Sequence, residues 1–184
     1  MTDSSCEAFA GGEWRFEEDR ENPPSRAYLK LWEWGYRTNS LPTKGQVALD
    51  LAACPGGWTW VLVKEGLHVH AYDRAPLDKR LMKRYGRQIE FSTGDIFKLS
   101  PDRAPKVDWV FCDVIAEPVR TFELIEKWLS EPVGLVFTIK FKGEKTKDDV
   151  ELLSRLQRVP GASLRHLFVN KNEVTFWRPP QRRP

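Results

Sequence analysis

Apolar and polar positions change period repeatedly along this chain. Five short apolar runs read as strands: "QVALDL" (46–51), "HVHAYD" (68–73), "IEFSTG" (89–94), "VDWVFCDV" (107–114) and "VGLVFTIKF" (133–141). Among the stretches between them, "WTWVLVKEG" (58–66), "PVRTFELIEKWLS" (118–130) and "KDDVELLSRLQRV" (147–159) carry apolar residues at helical spacing. Upstream, "NPPSRAYLKLWEWGYR" (22–37) predicts a short amphipathic helix. Pro23 and Pro24 block a preceding helix, Ser25 serves as N-cap and Gly35 closes the C-terminus. Tyr28, Leu31 and Trp32 share one face, with Lys30 close to the middle. Near the end, "SLRHLFV", the polar turn "NKN" and "EVTFWRP" read as a hairpin. Alternating strands and helices predict an α/β fold with a mostly parallel seven-stranded sheet. Helices cover both faces, and the C-terminal hairpin adds an antiparallel edge.

Composition narrows this little. Residues 1–22 are acidic and aperiodic and read as a flexible lead-in, 23–178 as one domain, and 179–184 as a solvated basic tail. An apolar content of 41% with 12% aromatics excludes disorder, and a net charge of +3 permits a nucleic-acid partner without pointing to one. No apolar run has membrane-spanning length and no signal-peptide pattern is present, so no membrane partner is expected. Cys6, Cys54 and Cys112 form an odd set without paired spacing. They indicate a reduced, cytoplasmic setting with no disulfide framework and no metal site.

Candidate chemistry concentrates in "DLAACPGGWTW" (50–60). Directly after a strand, Gly56 and Gly57 leave bare backbone N–H groups that open onto a helix N-terminus. Asp73 ends the next strand, at the place where such folds grip a ribose hydroxyl. Asp95 follows the third strand, where an adenine would lie. The dinucleotide fingerprint G-x-G-x-x-G is missing, and proline in the turn removes an N–H that a pyrophosphate would use. A nucleoside without phosphates, S-adenosylmethionine, fits better.

Four charged residues fall where they can converge on one cleft: Lys30 on the first helix, Asp113 ending "FCDV", Lys140 ending "VFTIKF" and Glu173 opening the last strand. A lysine at the end of an apolar strand is costly unless paired or used. Acting as a base, an ordinary lysine with a pKa of about 10.4 needs roughly 4–5 kcal/mol to lose its proton at neutral pH. A neighbouring cation such as Lys30 or a sulfonium lowers that cost, whereas Asp113 and Glu173 oppose it while orienting the amine and a hydroxyl.

In that order, Lys30, Asp113, Lys140 and Glu173 resemble the Lys-Asp-Lys-Glu tetrad of the FtsJ/RrmJ-like RNA ribose 2′-O-methyltransferases. "PPSRAYLKL", "ACPGGWT", "CDVIAEP" followed by "KWL", and "NEVTFWRP" are similar to segments of the RlmM-type enzymes of that family. Those enzymes methylate a cytidine ribose in large-subunit ribosomal RNA. The resemblance covers roughly residues 23–178 and implies a Rossmann-like S-adenosylmethionine-dependent methyltransferase fold. By position it makes Lys140 the base or hydroxyl-orienting lysine, with Lys30, Asp113 and Glu173 completing the tetrad. Ser25, Cys54, Pro55, Gly56, Gly57, Trp58, Asp73, Asp95 and Asp113 would surround S-adenosylmethionine. Two departures stand out. Ala52 occupies a position where glycine is usual, and the RlmM-type enzymes carry a long N-terminal RNA-binding region where this chain has 24 residues before Ser25. A monomer acting on ribosomal or other RNA, with an accessory RNA-binding protein, is the expectation.

Other readings predict other features. RNA cytosine-5 methyltransferases share a Pro-Gly-Gly turn but take their nucleophile from a Pro-Cys after the fourth strand, whereas Cys112 lies within the strand and reads as a core thiol. Amino-group methyltransferases show Asp/Asn-Pro-Pro-aromatic there, not "DVIAE". A non-catalytic RNA- or cofactor-binding domain would keep the turn and lose the tetrad, and a small-molecule methyltransferase would need a lid. Arg80, Lys83, Arg84 and Arg87 at helical spacing read as a phosphate-facing stripe or a solvated face. "KFKGEKTK" flanks Lys140 where an RNA backbone would pass. Trp32 reads as core, and Trp34 as a residue that either packs or stacks a base.

Overall fold

The computed structural model describes residues 6–8 and 14–181; positions 1–5, 9–13 and 182–184 of the expected lead-in and tail lie outside the described residues. Within the lead-in, β1 (Cys6–Ala8) and β2 (Trp14–Phe16) pair antiparallel. Further along, the Asp19 N–H donates to the Tyr28 hydroxyl and Arg26 pairs with Glu18, which fastens the approach to the first helix.

Seven strands form the main sheet in the order β5 (Ile89–Thr93), β4 (His68–Asp73), β3 (Val47–Leu51), β6 (Trp109–Cys112), β7 (Gly134–Lys140), β9 (Glu173–Arg178) and β8 (Ser163–Arg165). The first five run parallel, while β9 is antiparallel to both β7 and β8. The chain turns back on its strand order between β3 and β6, so a crevice opens beyond the carboxyl ends of those two strands.

Alternate strand residues divide between two cores. Ala48, Val69 and Phe111 face Trp34 of α1 (Tyr28–Thr38) and Trp60 and Val61 of α2 (Gly57–Lys64), with Leu81 of α3 (Lys79–Tyr85) at the edge. Leu49, Val110 and Phe137 face Phe122 and Ile125 of α4 (Pro118–Leu129) and Leu156 of α5 (Lys147–Gln157). Between β5 and β6 only a 3₁₀ turn, Pro101–Arg103, replaces a helix. No helix among the described residues is long and apolar enough to cross a membrane.

Two expectations for the first helix change, and the open choice at Trp34 is decided. Ser25 does not cap α1: the N-cap is Ala27, in helical conformation and without a side-chain bond. Gly35 does not end it either; it is buried inside the helix, where a Cβ would meet Leu41 Cγ at 2.3 Å, and Asn39 closes the helix at φ 48°. Trp34 is fully buried with its ring 5.8 Å from Trp109 and 6.2 Å from Phe111, so it cannot stack a base. The hairpin also differs. β8 stops at Arg165 and β9 starts at Glu173, because the intervening loop is drawn onto α1.

That attraction comes from Glu33, whose carboxylate is fully buried. It accepts the N–H groups of Phe168 at 2.7 Å and Val169 at 2.8 Å, and the Arg37 Nε–H at 2.6 Å. A charge this deep persists only because all its partners are donors, one of them cationic.

Candidate active site

At the carboxyl end of β3 the backbone reverses sharply. Ala52 sits at φ 59°, with its N–H donated to Tyr72 O at 2.9 Å, and Gly56 at φ 115° forms the N-cap of α2. The two glycines have distinct reasons. A Cβ on Gly56 would lie 2.4 Å from Leu81 Cδ2, and one on Gly57 would lie 2.4 Å from Ser25 Oγ and 3.3 Å from Tyr28 N. Their bareness admits α3 and the start of α1 onto the turn, a neighbourhood not readable from the glycines themselves.

The two loop acids are held by backbone. Asp73 accepts the Cys54 N–H at 2.9 Å and the Ala75 N–H at 3.0 Å. Asp95 accepts the Phe97 N–H at 3.0 Å and pairs with Arg74, and these contacts, the Phe97 N–H foremost, hold its carboxyl below the usual range. Both line a cavity of about 410 Å³ with Ala52, Phe97, Val114 and Ile115. Ser25 lines a separate hollow of about 480 Å³ beside Pro23 and Pro24. Trp58 is buried in the core, its indole N–H donated to Ala27 O at 2.9 Å, so it braces α2 against the start of α1.

Lys30, Asp113, Lys140 and Glu173 meet. Lys30 Nζ lies 3.1 Å from Asp113 Oδ1 and 2.7 Å from Glu173 Oε1. Lys140 Nζ lies 2.9 Å from Asp113 Oδ1 and donates to the Asp113 carbonyl at 2.7 Å. Direct pairing of Lys140 with Glu173 in the β7–β9 register puts both at one level of the sheet. The Thr138 hydroxyl donates to Asp113 Oδ1, a contact the sequence reading missed because Thr138 looks like one more strand residue. Two ammonium and two carboxylate groups balance, as largely buried charges require. All four line a cavity of about 1110 Å³, which shares the lining residue Ile115 with the smaller cavity.

Asp50 was also missed. It is fully buried beneath the turn and accepts the Thr59 hydroxyl at 2.6 Å. Burial pushes its pKa up to about 7, with Asp113 and Asp73 adding to the rise and the Thr59 bond opposing it. Only its place before the Pro-Gly-Gly turn singled it out in the sequence.

The remaining candidates fall outside this cluster. Cys112 is fully buried and burial drives its thiol far above the usual range. Arg80 chelates Asp78 and reaches Glu21 O, while Arg84 reaches Asn22, so half of the expected basic stripe ties down the approach to α1. Lys142 pairs with Glu117, and Lys145 lies 4.9 Å over the Phe141 ring. His68, His70 and Glu90 cluster at the far side of the sheet, closed by His–Glu contacts of 2.8 and 3.3 Å.

Comparison with known proteins matches this chain to one family. The profile of the FtsJ-like methyltransferases covers residues 23–151. The ribosomal RNA large subunit methyltransferase M of Chromohalobacter salexigens is 34% identical over 181 residues, 90% of this chain and 49% of the relative. The chain thus spans about half the length of the curated relatives it matches. Among solved structures, a protein described as a hemolysin from Streptococcus thermophilus superposes with TM-score 0.67 at 16% identity, covering 93% of this chain and 73% of that one. A protein described as a ribosomal RNA methyltransferase from Plasmodium falciparum gives TM-score 0.61 at 15% identity, covering 86% and 98%. Both share the fold.

Proposed function

The chain belongs to the FtsJ-like methyltransferase family, and on that premise we propose that it transfers a methyl group from S-adenosylmethionine to the 2′-hydroxyl of a ribose in RNA, with ribosomal RNA as the substrate. The observation that carries this reading is the linked chain of Lys140, Asp113, Lys30 and Glu173 at the wall of a large cavity beside a second, acid-lined one.

The smaller cavity suits the cofactor: Asp73 and Asp95 are fixed acceptors for ribose and adenine donors, and Phe97, Val114 and Ile115 supply apolar walls. When bound, S-adenosylmethionine supplies an electrophilic methyl on a sulfonium. The protein's own residues then have separable tasks. Asp113 accepts from Lys30, Lys140 and Thr138, all three on Oδ1, so it orients both lysines. Glu173 spends one oxygen on Lys30 and keeps the other for the hydroxyl's proton. Lys140, on the neighbouring strand, holds the hydroxyl oxygen from the opposite side. Alignment of this kind supplies much of the rate where the electrophile is already reactive. The burial of Cys112 argues against a covalent cytosine-5 mechanism, since no base can reach its sulfur. A cytoplasmic monomer with an accessory RNA-binding protein completes the reading.

The test is methyl transfer from labelled cofactor to total RNA and free ribosomal RNA, followed by digestion to nucleosides. Label is expected in 2′-O-methylnucleosides, and Lys140→Ala is expected to abolish it with cofactor affinity unchanged. Near-normal transfer by that variant would remove the tetrad from the mechanism.

A further inference from the structure

We propose that Phe168 and Ile115 form a subsite for the unpaired base of the target nucleotide, so that this domain acts on RNA presented as a single strand or with the target flipped out. The proposal rests on the ribose 2′-O-methylation reading and adds what grips the nucleotide beyond its ribose.

Large exposed apolar side chains are few among the described residues, and two of them stand on the rim of one cavity: Ile115 at 87% exposure and Phe168 at 54%. That cavity, about 1110 Å³, contains the four charged residues at its wall and extends well past them over Leu29, Phe141 and Val169. A ribose alone fills a small part of it. Ile115 also lines the smaller, cofactor-suited cavity, so it stands where methyl donor and acceptor would meet.

Phe168 is not loosely displayed. Its own N–H and that of Val169 are held at 2.7 and 2.8 Å by the two oxygens of the buried Glu33, which leans on Arg37. On either side Leu167 is buried and Asn170 donates to Thr175 Oγ1 at 3.1 Å. A fully buried carboxylate thus fixes the backbone of a surface loop whose Phe168 lines the cavity. Rigid presentation of an aromatic at a wet rim is what base stacking needs, because every base offers a π face and the ring loses little freedom on contact. Lys171 lines the same cavity and supplies a cation for a flanking phosphate. Lys140 and Glu173 are largely buried at the cavity wall, so a ribose that reaches them brings its base into the cavity with it.

The probe is a mixed-sequence single-stranded RNA dodecamer carrying 2-aminopurine, read by fluorescence quenching, with methyl transfer to total RNA measured in parallel. Phe168→Ala is expected to weaken dodecamer binding and raise KM for RNA about tenfold or more. It should leave kcat, cofactor affinity and the unfolding midpoint near wild type, and Phe168→Trp should restore binding. An alanine variant that binds and reacts like wild type overturns the subsite, as does a tryptophan variant as impaired as the alanine one. If the wild type quenches the dodecamer through Phe168 but transfers no methyl to RNA, the subsite stands and the 2′-O-methylation reading falls. If it transfers methyl with no dependence on Phe168, the reverse holds. A wild type that neither binds nor methylates RNA overturns both.

Discussion

Replacing Asp50 by asparagine isolates the cost of one buried acid. In the unfolded chain an aspartate ionises near 3.8; in the folded protein Asp50 does so at about 7. Below pH 4 both states keep the proton and the group is neutral toward stability. Between pH 4 and pH 7 the unfolded state releases its proton first, so rising pH favours unfolding, and above pH 7 the cost is constant. At about 1.4 kcal/mol for each tenfold change in proton affinity, the displacement from 3.8 to about 7 corresponds to on the order of 4 kcal/mol. The Asp50→Asn side chain has no proton to lose, and its carbonyl can still accept from Thr59. The difference in stability between variant and wild type should therefore grow by up to that amount from pH 4 to pH 7 and then level off. Urea titrations followed by tryptophan fluorescence read it directly. With a slope of about 2 kcal/mol per molar urea, the midpoint difference should widen by roughly 2 M over this range. Titrating groups that do not face Asp50 are common to both proteins and cancel, leaving Asp50 and its coupling to Asp113 and Asp73. A midpoint difference that is the same at pH 5 and pH 8 would refute the reasoning, since Asp50 would then ionise as freely inside the protein as outside.

Two further perturbations test the frame around the site. Ala52→Gly removes a Cβ from a backbone held at φ 59°, and should stabilise the fold by about 0.5–1 kcal/mol, read as a raised urea midpoint. Glu33→Ala leaves Arg37 without its buried carboxylate partner and strips two N–H groups of their acceptor; a loss of about 3 kcal/mol or more is expected, against less than 1 kcal/mol for an ordinary surface acid.

Much of the frame was legible because period and place carry it. The parallel strands announce themselves as apolar runs, and Asp113, Lys140 and Glu173 are visible as charges at the ends of such runs. What stayed hidden depends on partners far along the chain. Glu33 looks like a solvated helix residue until residues 168 and 169, some 135 positions later, place their N–H groups on it. Trp34 follows the same logic, since Trp109 and Phe111 decide its burial. Gly35 reads as a helix stop because glycine often is one, whereas here the contact with Leu41 requires it. Asp50 differs in kind: its position was plain, but its proton affinity depends on complete enclosure, which no pattern in the sequence reports.

The missing side chain of Gly57, where a Cβ would meet Ser25 Oγ and Tyr28 N, joins two parts of the chain. The first turn of α1 rests on the Pro-Gly-Gly turn, and Lys30 projects from that same turn of helix to Asp113 and Glu173. Under the proposed function, methyl donor and acceptor hydroxyl would thereby be referred to a common mechanical datum. A displacement of α1 would carry Lys30 with it and remove the neighbours of Gly57 in the same event, so donor and acceptor alignment would be gained or lost together.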